Sequence, residues 1–317
     1  MRVALFGGTG FVGGYLVDAL LAAGHEPSLL VRGGSDGKVR QAGGCRVTTG
    51  AVGTGESVES TLDGCQAVIY NIGILRENRA KGVTFEALQF DGAVRVADCA
   101  SRSGIRRFLL MSANGVHSPG TAYQETKFRA ECHILESDFD ATVFRPSVIF
   151  GDPRGHMEFA TQLNRDMVAP PLPAVAFHNG IMRSGGDVVM SPVHVEDVAL
   201  AFVRALNDPG TIGRTYALGG PEVLTWRQIL ERIMAATSRR KVILPMPIPV
   251  MKAAAALLDW LPAFPVTRDQ LTMLAEGNTA DPGDLRSLIG REPTPMNAVT
   301  LSYLSRNAPG AFQRDTN

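Results

Sequence analysis

A tyrosine and a lysine four residues apart, with a serine shortly before them, have the types and spacing of an acid–base site. Of the five tyrosines, only Tyr123 has a lysine four residues later, Lys127. On a helix both side chains share one face. A phenol with its usual pKa of about 10 exchanges protons poorly at neutral pH, and a nearby ammonium lowers that pKa. Ser112 ends a predicted strand and can hold a substrate carbonyl oxygen, so Ser112, Tyr123 and Lys127 are the predicted catalytic residues.

A glycine turn near the start of the chain predicts a phosphate-binding site. Gly7, Gly10 and Gly13 follow an apolar strand and open a helical pattern. Glycine lets the backbone approach a pyrophosphate closely, and the N–H groups at a helix start attract anions. A second strand after the helix supplies the context that a dinucleotide site needs. The predicted cofactor contacts here also include Thr9, Phe11 and Val12.

Arg32 stands at the end of the second predicted strand, where an NAD-selective site usually has an acid that binds the ribose 2′-hydroxyl. A guanidinium there attracts a 2′-phosphate, whereas a carboxylate would repel it. The sequence therefore predicts a preference for NADP(H) over NAD(H). With a nicotinamide beside them, Ser112, Tyr123 and Lys127 would form a hydride-transfer site. Asn71 and Gly73, just after the strand AVIY, are predicted at the same sheet edge and complete the set of cofactor contacts.

The elements that must position these residues alternate between strand and helix through the first half. Strands are predicted at 3–6, 28–31, 67–70, 108–111 and 142–148, and helices at 12–23, 85–103 and 122–137. Continuous apolar strands separated by helices predict a doubly wound parallel sheet of the Rossmann type, an α/β fold with ligands at the carboxyl ends of the strands. Residues 1–151, completed by segments within 187–220, are the expected dinucleotide-binding domain. Residues 152–186, expected to be irregular, and 221–317 form a smaller C-terminal substrate lobe.

Composition narrows the class of protein. Lysine plus arginine equals aspartate plus glutamate, so the formal net charge is zero, which argues against nucleic acid as a partner. The four cysteines form no CxxC pair, and the histidines are scattered, so no metal site is expected. No signal-peptide pattern or membrane-spanning run is seen, and a cytoplasmic location with a small-molecule substrate is predicted.

These motifs resemble the short-chain dehydrogenase/reductase superfamily, in its extended or atypical branch. RPSVIFGD (145–152), VHVEDVA (193–199) and GRTYALGGPEVLTW (213–226) look like later blocks of that branch. FPVTRDQLTMLAEGN (264–278) is similar to the tail of relatives of the nucleotide-binding accessory subunit of respiratory complex I. The resemblance implies that Tyr123 is the acid–base, that Lys127 binds the ribose and tunes Tyr123, and that Ser112 orients the substrate.

Three functions are open at this point. The first is NADP(H)-dependent oxidation or reduction of a carbonyl or hydroxyl in a small, hydrophobic substrate. The others are a non-catalytic nucleotide-binding accessory or assembly role of the complex I type, and nucleotide-sugar epimerisation. Two departures bear on the choice: TTGAVGTGES lacks the acid that holds adenine in many relatives, and Gln89 stands where Asn or His is common.

A mostly apolar helical pattern at 249–264 has Lys252 and Asp259 on one face. Packing into the substrate lobe is the favoured interpretation. The alternative is a weak, peripheral contact with a membrane or respiratory complex, for which Trp260 would be the residue to test.

Overall fold

The computed structural model describes residues 1–180, 187–258 and 268–306. Within these residues the strands are β1 (Arg2–Phe6), β2 (Glu26–Val31), β3 (Arg46–Thr49), β4 (Ala67–Tyr70), β5 (Arg107–Met111), β6 (Asp140–Pro146), β7 (Ile149–Phe150), β8 (Ala174–His178), β9 (Val189–Met190), β10 (Val193–His194), β11 (Arg214–Leu218), β12 (Leu224–Thr225) and β13 (Ile243–Pro247). The α-helices are α1 (Phe11–Ala22), α2 (Gly55–Leu62), α3 (Gly92–Arg102), α4 (Ala122–Glu136), α5 (Phe159–Leu163), α6 (Val195–Leu206), α7 (Trp226–Ala236), α8 (Ile248–Leu258), α9 (Arg268–Glu276), α10 (Pro282–Ile289) and α11 (Tyr303–Arg306).

The chain divides into two compact units. The first unit comprises residues 1–146, 195–218 and 283–291, and the second comprises 147–194, 219–282 and 292–317. The first unit contains a seven-stranded sheet in the order β11-β6-β5-β4-β1-β2-β3, and every pairing in it is parallel. The predicted doubly wound α/β fold is confirmed. Its strand order reverses between β1 and β4, the position where such sheets bind ligands.

Apolar strands explain why this sheet is covered on both faces. Val3, Ala4, Leu5 and Phe6 of β1 are all fully buried, as expected of a central parallel strand. Helix α6 packs against α1. Helix α4 begins with a capping box, in which Thr121 and Gln124 each bond to the backbone of the other. These contacts fix the helices relative to the strand ends that carry the candidate site.

The second unit has its own apolar core, built around Trp226, Phe177 and Ile229 among other residues. Its paired strands are β7 with β10, β9 with β12, and β8 with β13. None of the helices in the described ranges combines the length and the apolar character needed to cross a bilayer. Helix α8 is described to Leu258, so Asp259 and Trp260 of the predicted apolar helix lie outside the described residues.

Several predicted bounds were wrong. The strand predicted to reach Val148 ends at Pro146, and β7 pairs with β10 instead of continuing in the large sheet. Residues 152–186, expected to be irregular, contain α5 and β8. Glu158 accounts for α5, because its side chain accepts hydrogen bonds from the first free N–H groups of that helix. The helix predicted from residue 85 begins with a π-helical turn, Glu86–Asp91, before α3.

Candidate active site

The turn after β1 can form only because Gly7 and Gly13 have no side chain. Gly7 has φ +95°, and a Cβ on it would lie 2.8 Å from the carbonyl oxygen of Asn71. A Cβ on Gly13 would overlap the carbonyl oxygen of Gly7. The Gly10 N–H donates to that same oxygen over 3.3 Å and closes the turn. Any larger side chain at Gly7 or Gly13 would therefore displace the backbone of the turn.

The start of α1 is open to an anion. Gly10 is its N-cap, and no side chain caps the helix. Gly10 is exposed, while Thr9, Phe11 and Val12 are half-buried. The first N–H groups of a helix have no partner inside it, so this turn has the donors and the helix dipole that a pyrophosphate needs.

The segment after β4 lies beside this turn. Asn71 donates its backbone N–H to Phe6 O over 2.9 Å and its side-chain Nδ2 to Gly7 O over 3.4 Å. The position of a Cβ on Gly73 is 3.6 Å from Lys127 Nζ. The structure thus brings Asn71 to the glycine turn and Gly73 to Lys127. This segment connects the turn with the predicted catalytic residues.

Ser112 follows β5 directly, and its backbone N–H donates to Phe144 O over 2.7 Å. The residue is only 4% exposed, and its hydroxyl Oγ has no hydrogen-bond partner among the described residues. Ser112, Lys127 and Gln89 line one pocket together with Met111 and other residues. A buried hydroxyl without a partner is costly. The Ser112 hydroxyl therefore has hydrogen-bonding capacity that none of the described residues uses.

Helix α4 carries the other two predicted catalytic residues. Lys127 is 6% exposed, and its Nζ donates to Met111 O over 3.0 Å. The same nitrogen lies 5.9 Å from the ring centroid of the half-buried Tyr123. Phe85 packs edge-on against the Tyr123 ring, with the two centroids 5.7 Å apart. Tyr123 and Lys127 share a face of α4, as their spacing predicts.

Burial shifts the proton affinity of both groups. It lowers the pKa of Lys127 to about 8, an effect that the Glu131 carboxylate opposes. It also raises the pKa of Tyr123 above its ordinary value, and the ammonium does not offset that rise. The expected lowering of the Tyr123 pKa by Lys127 is therefore not seen. The reason is geometric, since Lys127 Nζ bonds to Met111 O and faces the ring of Tyr123.

An ion pair anchors the middle of α4 to the sheet. Arg145 of β6 donates from Nε to the Glu131 carboxylate over 2.9 Å and 3.1 Å. Glu131 is 2% exposed, so one of the charges is buried and needs this partner. Arg145 thus has a structural partner in α4. The pair holds the helix one turn beyond Lys127.

Arg32 lies at the carboxyl end of β2, beside the central strands of the large sheet. It follows β2, which pairs directly with β1, and it is exposed. No ion pair of its guanidinium is found among the described residues. Gly50, after β3, donates its N–H to Val31 O over 2.8 Å. The segment that lacks the adenine-binding acid therefore lies next to the end of β2, which Arg32 follows. Within the described residues, this exposed guanidinium thus has no carboxylate to neutralise its charge.

Gln89 has a larger part in the pocket than the sequence indicated. It is 2% exposed, with Oε1 2.9 Å from Thr126 Oγ1 and Nε2 donating to Ile74 O over 3.1 Å. Thr126 was not singled out at all. The helical periodicity of the sequence does not predict this contact, because the π-helical turn around Gln89 changes which side chains face the pocket.

The first unit fits a dinucleotide. The glycine turn leaves space for phosphates, the α1 N-terminus supplies donors, and the partnerless Ser112 Oγ lies beside Lys127. No group of His, Cys, Asp or Glu suited to a metal ion occurs among the residues described. Lys127 and the unpartnered hydroxyl of Ser112 line one pocket, and segment 71–73 connects that pocket to the glycine turn.

Comparisons with known proteins agree with this geometry. Residues 7–169 match a family model described as NAD(P)H-binding. The chain is 29% identical over 291 residues to NADH dehydrogenase (ubiquinone) 1 alpha subcomplex subunit 9, mitochondrial, of Arabidopsis thaliana, covering 86% of this chain and 68% of that protein. It is 28% identical to the ceramide reductase of Caulobacter vibrioides, covering 81% of this chain and 77% of the reductase. The predicted resemblance to the complex I accessory subunit is confirmed.

A solved structure supports the fold. The Thermus thermophilus UDP-glucose 4-epimerase in complex with NAD superimposes with a TM-score of 0.72 at 18% identity, covering 98% of this chain and 100% of the epimerase. At this identity the likeness concerns architecture alone. It confirms the Rossmann-like, epimerase-type fold.

Proposed function

We propose that this chain, which belongs to the NAD(P)H-binding family, is an NADP(H)-dependent oxidoreductase that reduces a carbonyl group of a small, apolar substrate. The observation that carries the proposal is the buried, partnerless Ser112 Oγ in the pocket that Lys127 also lines. Such an oxygen is ready to donate a hydrogen bond to a carbonyl oxygen. The reductase among the relatives supports the choice of an oxidoreductase.

The chain's own residues would divide the binding of the cofactor among them. The Gly7–Gly13 turn and the start of α1 would hold the pyrophosphate, and Asn71 and Gly73 would border the nicotinamide ribose. Arg32 would bind the 2′-phosphate, which supports NADP(H) over NAD(H). When bound, NADPH supplies a hydride to the substrate carbon.

Tyr123 would donate the proton that completes the reduction. Burial raises the pKa of Tyr123, so the phenol is neutral at physiological pH and carries the proton that a forming alkoxide needs. Ser112 would orient the carbonyl oxygen. Lys127 would contact the ribose and stabilise negative charge near Tyr123 as the proton leaves. This assignment favours reduction, since oxidation would require the phenolate first.

Two measurements test the proposal. Titration of the protein with NADPH and NADH, followed by fluorescence, should give saturable binding with NADPH the tighter ligand. NADPH consumption should then be screened against aldehydes and ketones of increasing apolar size. Tight binding without turnover on any carbonyl would favour the non-catalytic alternative, whereas no binding of either nucleotide would refute the proposal.

The second candidate is a non-catalytic accessory role in a respiratory complex. It is favoured by the match to the Arabidopsis complex I subunit across most of the chain. In the second unit, Leu172, Val242, Leu244 and Val250 are exposed, which supports a weak peripheral contact with a membrane or an apolar partner. A cytoplasmic location is part of the first proposal only. Co-purification with a membrane complex distinguishes the two roles.

Nucleotide-sugar epimerisation is a third possibility that uses the same Tyr123 and Lys127. An epimerase keeps its NAD through the catalytic cycle, so it would purify with nucleotide bound and would consume none. Denaturing the purified protein, removing it and assaying the supernatant for released NAD would separate this reaction from reduction.

A further inference from the structure

Gln89 connects two segments that the proposed cofactor must touch. Its side chain is buried in the π-helical turn Glu86–Asp91. The turn is stabilised from the sheet, because the hydroxyl of Tyr70 on β4 donates to Leu88 O over 2.6 Å. Turns of this kind interrupt a helix at a defined place and often occur at functional sites. Here the turn directs Gln89 into the pocket that Ser112 and Lys127 line.

Only one of the two flipped orientations of the Gln89 side-chain amide satisfies its hydrogen bonds. A carbonyl oxygen can only accept, so the NH₂ group must face Ile74 O, which it reaches over 3.1 Å. The amide oxygen then faces Thr126 Oγ1 at 2.9 Å and can accept the single proton of that hydroxyl, for which Ala122 O at 2.8 Å also competes. Neither a carboxylate nor an apolar side chain offers a donor and an acceptor in these two directions. The position therefore requires an amide.

The partners of Gln89 are immediate neighbours of predicted cofactor contacts. Ile74 follows Gly73, and Thr126 precedes Lys127. The other end of the same short segment is held by Asn71, which bonds to Phe6 O and to Gly7 O. Segment 71–74 is thus fixed at one end to the glycine turn and at the other to α4. The link through Gln89 sets the distance between the Gly73 backbone and Lys127 Nζ.

We propose that Gln89 and Thr126 are positioning residues for the nucleotide site: they hold segment 71–74 against α4 so that Gly73 and Lys127 meet the nicotinamide ribose together. This inference rests on the proposed NADP(H) binding. Neither residue contacts the reacting atoms. Loss of these side chains would leave the fold intact but let segment 71–74 move away from Lys127. Cofactor binding would then have to order that segment again, which lowers the affinity.

The first readout is made on the apo protein and needs no cofactor. Arg76 is exposed and lies two residues past Ile74, so trypsin cleavage after Arg76, followed by mass spectrometry, reports opening of the segment. Gln89→Met and Thr126→Val should be cleaved there about tenfold faster than the wild type, as the loss of one or two net hydrogen bonds allows. Thr126→Ser keeps the hydroxyl and should behave as the wild type.

The second readout is the dissociation constant of NADPH, measured with the same variants. Gln89→Met and Thr126→Val should each weaken binding about tenfold, and Thr126→Ser should not. The matched control is Thr142→Val, which removes a buried hydrogen bond from Thr142 Oγ1 to Thr211 O (2.8 Å) elsewhere in the first unit. The control should lose stability without losing NADPH affinity.

The outcomes separate this inference from the proposed function. Wild-type cleavage in Gln89→Met, or faster cleavage with unchanged NADPH affinity, would overturn the positioning role. Equal loss of affinity in Thr142→Val would overturn it too, because general destabilisation would then explain the effect. If the wild type binds no nucleotide while the cleavage rates differ as expected, the proposed function fails and the structural link through Gln89 stands.

Discussion

Two buried polar clusters, one in each unit, differ in how well their hydrogen bonds are satisfied. In the second unit, Glu158 is 5% exposed and accepts from Ala160 N (2.7 Å), Thr161 N (2.5 Å) and the Tyr303 hydroxyl (3.1 Å). In the first unit, Ser112 Oγ has no hydrogen-bond partner among the described residues. Lys127 Nζ can donate three hydrogen bonds, and one of them goes to Met111 O.

Both clusters contain a group whose proton affinity is shifted towards neutrality. Burial raises the pKa of Glu158 to about 7 and lowers the pKa of Lys127 to about 8. A shifted pKa alone would make both clusters candidate sites. The hydrogen bonds distinguish them, because three groups donate to the Glu158 carboxylate, whereas Ser112 Oγ has no partner among the described residues. We therefore expect variants of the two clusters to fail in different assays.

The largest difference is expected from Tyr123→Phe. Removing the hydroxyl should lower turnover by about 10²- to 10⁴-fold, the range for loss of a general acid, and change NADPH affinity little. Lys127→Ala should damage both. Steady-state kinetics with NADPH titrations measure the two effects. Tyr216→Phe, a buried tyrosine in β11, is the matched control, and wild-type turnover in Tyr123→Phe would remove that residue from the mechanism.

Arg32→Ala should have the next largest effect. Loss of a charge-assisted contact is worth about 1.5–3 kcal/mol, or roughly ten- to a hundredfold in NADPH affinity. NADH affinity should stay the same, because NADH lacks the 2′-phosphate. Arg106→Ala is a suitable control, since Arg106 is an exposed arginine just before β5, at the other end of the strands. Equal affinities of the wild type for both cofactors would refute the role of Arg32.

The Lys127 charge should also appear in the pH dependence of stability. The unfolded lysine has a pKa of about 10.4, whereas burial lowers the folded value to about 8. Between these values the unfolded state binds more protons, so the free energy of unfolding should rise with pH, by at most about 3 kcal/mol. Denaturant unfolding of wild type and Lys127→Met from pH 7 to 10 measures this. The same rise in the variant would show that another group causes it.

An effect of opposite sign is expected at Glu158. Its folded pKa of about 7 exceeds the unfolded value of about 4.3, so the folded state binds more protons between them. Stability should therefore fall as pH rises through this window, by at most about 4 kcal/mol. Glu158→Gln should flatten the curve, and its NADPH affinity should equal that of the wild type. Lost affinity would place Glu158 in the functional site.

Much of the first unit could be predicted because its signals are local. The glycine spacing, the apolar strands and the Tyr123–Lys127 pair each concern a few neighbouring residues. What failed depended on distant contacts. The end of β6 at Pro146 follows from the pairing of β7 with β10, and the partner of Lys127 is a carbonyl sixteen residues earlier.

The residues of the candidate site could be predicted from the sequence, but the direction of the pKa shift of Tyr123 could not. A lysine near a tyrosine suggested a lowered phenol pKa, yet burial of Tyr123 has the opposite effect. Burial depends on Phe85 and the surrounding chain, which no spacing in α4 encodes. Gln89 was noticed in the sequence, but its contacts were not predicted, because one partner is the backbone carbonyl of Ile74 and backbone atoms are the same at every position.

The last strand of the large sheet has a consequence for synthesis of the protein. β11 pairs with β6, but it enters the chain only at residue 214, and the first unit also needs residues 283–291. While the ribosome is still making the intervening residues, the free edge of β6 offers unpaired backbone groups, and the surface of α1 that α6 will cover is bare. Nascent chains of intermediate length should therefore depend on chaperones: the sheet is complete only after residue 218, and the first unit only after residue 291.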